Sequence, residues 1–175
     1  KYIRALKGLS KKVIVCDCDN TIWGGVVGED GVQNLQIGSG ALGGIFEEFQ
    51  HMLKTLSKNG IVLALCSKNN EEDVWEVFEK HHGMVLQKND IAAYRINWNN
   101  KVENIKSIAE ELNLSLDSFV FIDDSDFECQ LVRDKLSNVT VIHMTENPID
   151  VINTINGRGF FDRYSLTNED ALRTK

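Results

Sequence analysis

The stretch "VIVCDCDNTIWGG" (13–25) places Asp17 and Asp19 two positions apart, where an apolar run gives way to a turn. Further on, Ser67 ends the apolar run "IVLALCS", Lys101 opens the helical pattern "KVENIKSIAEELN", and Asp123 and Asp124 close the run "SFVFIDD". Carboxylates gathered with a hydroxyl and an ammonium form a hard-oxygen site, and Mg²⁺ favours one or two carboxylates together with phosphate oxygens of a substrate. A carboxylate can also attack phosphorus to give an acyl-phosphate, while a second one protonates the leaving oxygen and later activates water. On this division Asp17 is the expected nucleophile and Asp19 the acid and base. Ser67 hydrogen-bonds a phosphoryl oxygen, Lys101 neutralises its charge, and Asp123 or Asp124 holds the metal, with Asp17 and Asp19 as further candidate ligands. Each residue alone has a plainer explanation, as a strand-end serine, a solvated helix lysine or a capping aspartate; their order and shared position carry the inference.

The elements that must position these residues follow from periodicity. "KKVIVCD", "IVLALCS", "SFVFID" and "VTVIH" are short, continuous apolar runs of the kind buried on both faces of a parallel sheet. Between them lie helical patterns: "GGIFEEFQHMLKTLSKNG", with Ile45, Phe49, Met52, Leu53 and Leu56 at helical spacing and Gly60 as the stop, then "NEEDVWEVFEKHH", "KVENIKSIAEELN", "DFECQLVRDKL" and a helix after Pro148. Residues 83–100 read as loop. Alternating strands and helices predict an α/β fold with a doubly wound parallel sheet. In such a sheet the loops at the carboxyl ends of the strands make the ligand site, and Asp17, Ser67, Lys101 and Asp123–Asp124 all fall there. The two irregular stretches, 22–44 with eight glycines and 83–100, are therefore expected to be functional loops.

Composition excludes several classes. The chain has 175 residues, enough for one domain, with 42% hydrophobic and 26% charged residues. A formal charge of −7 offers no basic face for nucleic acid, and no apolar stretch approaches a membrane span. The basic segment "KYIRALKGLSKK" lacks the apolar core of a signal peptide, so a cytoplasmic setting is expected. Cys16, Cys18, Cys66 and Cys129 form no CxxC pair, and structural zinc is not expected.

"DCDNT", "CSKN", "NNKVENI" and "FIDDS", in this order, resemble the haloacid dehalogenase (HAD) superfamily. The resemblance implies a Mg²⁺-dependent phosphotransferase, with Thr21, Ser67, Lys68, Asn69 and Lys101 as phosphate-binding candidates. The gaps 22–66 and 68–100 hold no inserted cap domain, so an open site is implied. "DCDNTIWGGVVGEDG", "CSKNNEEDVWEVFEKH" and "LTNEDALRTK" resemble more narrowly the FkbH-like branch of polyketide assembly, over residue 12 to the end. That branch implies loading of a glyceryl unit from 1,3-bisphosphoglycerate, with dephosphorylation, through an enzyme cysteine thioester onto the phosphopantetheine arm of an acyl carrier protein. The alternative is a capless phosphatase acting through an aspartyl-phosphate. The chain is expected to be a single domain over 1–175, of a kind cut from a larger synthase polypeptide.

On the loading reading a cysteine becomes catalytic. Strand alternation turns Cys16 and Cys18 away from Asp17 and Asp19, but Cys18 lies in the turn where alternation lapses, so Cys18 is favoured over Cys66 as the thiol. Cys129 is expected to pack. Trp23 either closes the glycine-rich loop over a substrate or pins it. Trp75 and Phe78 belong to the core, and His51, His81, His82 and His143 receive no role. Lys88, Arg95, Arg158 and Arg163 are candidates for a basic docking patch. One departure stands out: where the branch reads Asn-Pro after its metal aspartates, this chain has Ser125–Asp126.

Overall fold

Val13–Cys16 (β1) contains no polar side chain, and all four residues are buried. A strand with that pattern needs neighbours on both edges and layers on both faces. It has them in the computed structural model, which describes residues 10–145 and 147–161. The segment "LTNEDALRTK" and Arg163 lie outside the described residues. Around β1 pair Val62–Ser67 (β2), Ile91–Ile96 (β3), Phe119–Asp123 (β4) and Thr140–His143 (β5), all parallel, in the order β3-β2-β1-β4-β5. The chain thus winds outward from β1 in one direction, returns, and winds out in the other, so the order reverses between β1 and β4. A crevice for ligands opens at such a reversal.

Two helical layers complete the core. Helices Gly40–Lys58 (α2), Glu71–Lys80 (α3) and Pro148–Arg158 (α6) pack with Ile14, Cys16, Leu63 and Leu65 on one face. Lys101–Leu112 (α4) and Asp126–Lys135 (α5) pack with Val13, Val15, Ala64 and Phe121 on the other. A short helix, Val27–Asp30 (α1), interrupts the loop that follows β1. Among the described residues no inserted cap domain lies between the elements of the sheet.

The loop expected over residues 83–100 contains a strand, β3. It is an edge strand, paired on one side only and half-exposed, so its sequence "IAAYRI" carries neither an unbroken apolar run nor a clean alternation. Tertiary pairing with β2, through a register shift at Leu63/Ala64, supplies what local pattern lacks. Among the described residues no helix is long and apolar enough to cross a membrane.

Candidate active site

Parallel register brings the carboxylates together. Cys16 pairs with Ile122, so the next residue of each chain segment, Asp17 and Asp123, emerges at the point where strand order reverses. The Asp17 N–H donates to the Ile122 carbonyl at 2.9 Å, extending the ladder by one step. One oxygen from each of Asp17, Asp123 and Asp124 lies within 4.8 Å of the others.

Lys101 is inserted into this group. Its Nζ donates to Asp17 Oδ1 at 3.0 Å and to Asp123 Oδ2 at 2.5 Å, and the residue is only 3% exposed. Local sequence fixes it there. Asn100 caps α4, its Oδ1 accepting from the Val102 N–H at 2.8 Å, which makes Lys101 the first helical residue. Asn104 Nδ2 donates back to Asn97 Oδ1 at 2.8 Å and holds the loop before the cap. Burial alone would lower the lysine pKa; the charges of Asp17 and Asp123 outweigh it and drive the pKa up, so Lys101 stays charged.

The aspartates at the end of β4 are pushed toward the protonated form. Burial first, then the Asp17 charge, raises Asp123 to about 6 against the opposing pull of Lys101. The same causes, with a hydrogen bond to Asp17, raise Asp124 to about 7. Three crowded carboxylates against one ammonium leave an excess of negative charge at a set of hard oxygen donors, which suits a divalent cation.

Asp19 stands in a different arrangement. Its Oδ1 accepts from Trp23 Nε1 at 2.9 Å and from the Val27 N–H at 3.0 Å, and its Oδ2 accepts from Asn69 Nδ2 at 2.7 Å. Asp19 was expected among the metal ligands; the cluster within 4.8 Å comprises Asp17, Asp123 and Asp124, while the Asp19 carboxylate joins the loop after β1 to the end of β2. Trp23 is fully buried and bonded to Asp19, so it pins the loop.

The phosphate-binding candidates divide. Ser67 is buried at the end of β2, where its Oγ accepts from Asn69 Nδ2 at 3.4 Å. Thr21 is fully buried, and its Oγ1 has no hydrogen-bond partner among the described residues. Lys68 turns toward α5 and pairs with Glu128 Oε1 at 2.6 Å. Of the basic-patch candidates, Lys88 lies over the Trp75 ring, Arg95 bonds Ser107 on α4, and Arg158 lies over Phe160.

The cysteines are all free and buried. Cys18 continues the strand alternation after all: with Cys16 it joins the core layer of α2, α3 and α6, opposite to the side from which Lys101 meets Asp17. Cys66 lies in the other layer with its Sγ 4.0 Å from the Lys101 carbonyl. Burial pushes the Cys66 thiol up to about 12 and raises Cys18 well above its usual range, with the Asp17 charge adding to the rise at Cys18. Cys129, also raised to about 12 by burial, packs its Sγ against the Asp123 carbonyl at 3.4 Å.

Two polar residues that periodicity passes over hold the surroundings in place. Gln50, fully buried on α2, donates to the Ile22 carbonyl at 2.7 Å and accepts from Val85 and Leu86 N–H at 3.0 and 3.1 Å. His81, on which no role fell, meets the Leu35 carbonyl through Nε2 at 3.1 Å and accepts from the Gly83 N–H through Nδ1 at 3.0 Å. Beside Asp124 a cleft of about 540 Å³ opens between the loop after β1, the start of α2 and the end of β5.

No family model and no curated protein matches the chain. Among solved structures, it is similar to the N-terminal part of BF1531 from Bacteroides fragilis, containing a phosphatase domain and complexed with Mg. The identity is 45% and the TM-score 0.89, over 94% of this chain and 44% of that one, so the chain spans less than half of that relative's length. It shares its fold with 3-deoxy-D-manno-octulosonate 8-phosphate phosphatase from Moraxella catarrhalis (15% identity, TM-score 0.52, 89% and 92% covered), solved with magnesium, phosphate and KDO. A HAD-family enzyme from Bacteroides thetaiotaomicron, solved with magnesium and inorganic phosphate, is a further neighbour (13% identity, TM-score 0.51, 77% and 94% covered). Fold and site together define the class: the chain has the HAD-superfamily fold, with strand-end aspartates in order and no large cap among the described residues.

Proposed function

We propose that the chain is a Mg²⁺-dependent phosphatase that works through an aspartyl-phosphate on Asp17. The observation that carries this is the grouping of Asp17, Asp123 and Asp124 around the buried Lys101 at the reversal point of the sheet. The phosphatase domain of the 45% identical relative, complexed with Mg, supports it. Asp17, Asp123 and Asp124 would hold Mg²⁺, which when bound supplies positive charge against phosphoryl oxygens.

The chain's own groups perform the chemistry. An Asp17 carboxylate oxygen attacks phosphorus, and the P–O bond to the alcohol breaks as that oxygen takes a proton from Asp19. Asp19 then removes a proton from water, whose oxygen attacks phosphorus and releases Asp17. Of the two Asp19 oxygens, Oδ2 holds one donor, Asn69, against two on Oδ1, so Oδ2 is the oxygen that exchanges the proton. Lys101 holds Asp17 in position, and Ser67, Thr21 and Asn69 are the groups proposed to bind the phosphoryl oxygens.

Glyceryl loading from 1,3-bisphosphoglycerate onto a carrier protein, the FkbH-like alternative, requires a thiolate that meets both a small substrate and a phosphopantetheine arm. Cys18 and Cys66 are each 0% exposed, and burial favours the neutral thiol. Burial thus favours hydrolysis over acyl transfer. A cytoplasmic setting belongs to the same proposal, supported by four cysteines that are all free. The test is phosphate release from p-nitrophenyl phosphate with Mg²⁺. Wild type and Cys18→Ala should both release phosphate and Asp17→Asn should not; release lost in Cys18→Ala and kept in Asp17→Asn would overturn the proposal.

A further inference from the structure

The cleft beside Asp124 is lined by the apolar residues Leu42, Phe46 and Met144 and by the polar residues Asn20, Gln36 and Thr145. Its volume, about 540 Å³, is that of a small-molecule site. Asp124 is the one charged residue lining it among the described residues. The lysines nearest the chemistry are engaged elsewhere: Lys101 lies between Asp17 and Asp123, and Lys68 pairs with Glu128. Gly24 lines the cleft beside Phe46 and Gln36. A Cβ at that position would come 2.9 Å from both Phe46 Cε2 and Gln36 Oε1, so the missing side chain is what lets the ring and the amide approach the cleft together.

Resting on the phosphatase proposal, we infer that this cleft receives the organic body of the substrate and selects phosphomonoesters with an uncharged body that carries both apolar and hydroxyl or amide groups. A carboxylate or a second phosphate on the body would sit against Asp124 with no cation among the described residues that line the cleft. Charge neutralisation at the aspartate cluster serves the reacting phosphoryl group and leaves none for a second anion. A neutral hydroxylated body loses nothing on that account: Leu42, Phe46 and Met144 cover its carbon chain, and the Gln36 amide and Thr145 hydroxyl face its oxygens.

A matched pair of substrates tests this. Glycerol 3-phosphate and 3-phosphoglycerate differ at one end of the body, hydroxymethyl against carboxylate. With the full chain and saturating Mg²⁺, kcat/KM should favour glycerol 3-phosphate by at least about tenfold, mainly through KM. Gln36→Lys, which places a cation in the cleft lining at an exposed position, should bring the pair to within about threefold by lowering KM for 3-phosphoglycerate. Thr145→Lys, also exposed, is the second variant should the first not fold, and thermal melts report folding of each. Equal kcat/KM for the pair in wild type, with the ratio unmoved by either lysine, overturns the inference and leaves the phosphatase proposal standing. No phosphate release from either ester or from p-nitrophenyl phosphate overturns both.

Discussion

At the scale of single residues, Asp17 and Lys101 form the unit on which the rest depends. Asp17→Asn removes the proposed nucleophile and should lower kcat/KM for phosphate release by more than about a thousandfold, measured under single-turnover conditions. Asp19→Asn keeps the loop bonds to Trp23 and Val27 through its carbonyl but has no proton to exchange, and should lose about 10²–10⁴-fold. Lys101→Met leaves Asp17 and Asp123 buried without their counter-charge and should cost about 3–5 kcal/mol in urea unfolding with the metal chelated. The departure at Ser125–Asp126 has a physical explanation. Ser125 caps α5, its Oγ accepting from the Glu128 N–H at 3.3 Å, and Asp126 opens the helix, the roles Asn and Pro fill equally well. Residue identity made Asp17, Ser67 and Asp123 legible in the sequence as polar groups at the end of apolar runs, and Lys101 as the residue that opens a helical pattern. It could not reveal that Lys68 turns to Glu128 or that Asp19 is held by three donors, since those partners lie up to 60 positions away.

At the scale of elements, periodicity identifies what is buried on one side of a regular pattern and fails where tertiary contacts decide. β1, β2, β4 and β5 were legible as apolar runs; β3 was not, because an edge strand satisfies half its ladder and leaves its other side to solvent. Gln50 was hidden for the opposite reason. A polar residue reads as surface, yet this one is fully buried and its amide joins the loop after β1 to the segment before β3. Gln50→Leu keeps the volume and leaves the Ile22 carbonyl and the Val85 and Leu86 N–H groups unpaired, which should cost about 3 kcal/mol in chemical unfolding. The Asn100 cap, by contrast, was available from sequence: Asn with Glu three positions later, ahead of an apolar periodicity, marks a helix start, and it is this start that delivers Lys101 to the aspartates.

At the scale of the whole molecule, the aspartate cluster links stability to pH and to divalent cations. In the folded chain Asp123 and Asp124 bind protons more tightly than carboxyls at their ordinary 3.8, rising to about 6 and about 7. The folded state therefore holds more protons than the unfolded one across that window. The stability they contribute is complete below 3.8 and is lost as pH rises through the raised values, so in chelator Tm should fall between about pH 4 and pH 7. Mg²⁺ binds the deprotonated cluster, and its addition should raise Tm more at about pH 8 than at about pH 5. The most direct test of the central claim is mass mapping of the adduct that Asp19→Asn traps with p-nitrophenyl phosphate and Mg²⁺, the variant being slowed in releasing Asp17. A hydroxylamine-labile phosphoryl group on Asp17, absent from Asp17→Asn, is the predicted result. Turnover with no phosphoryl group on Asp17, or an adduct on Cys18 or Cys66 instead, would contradict the account.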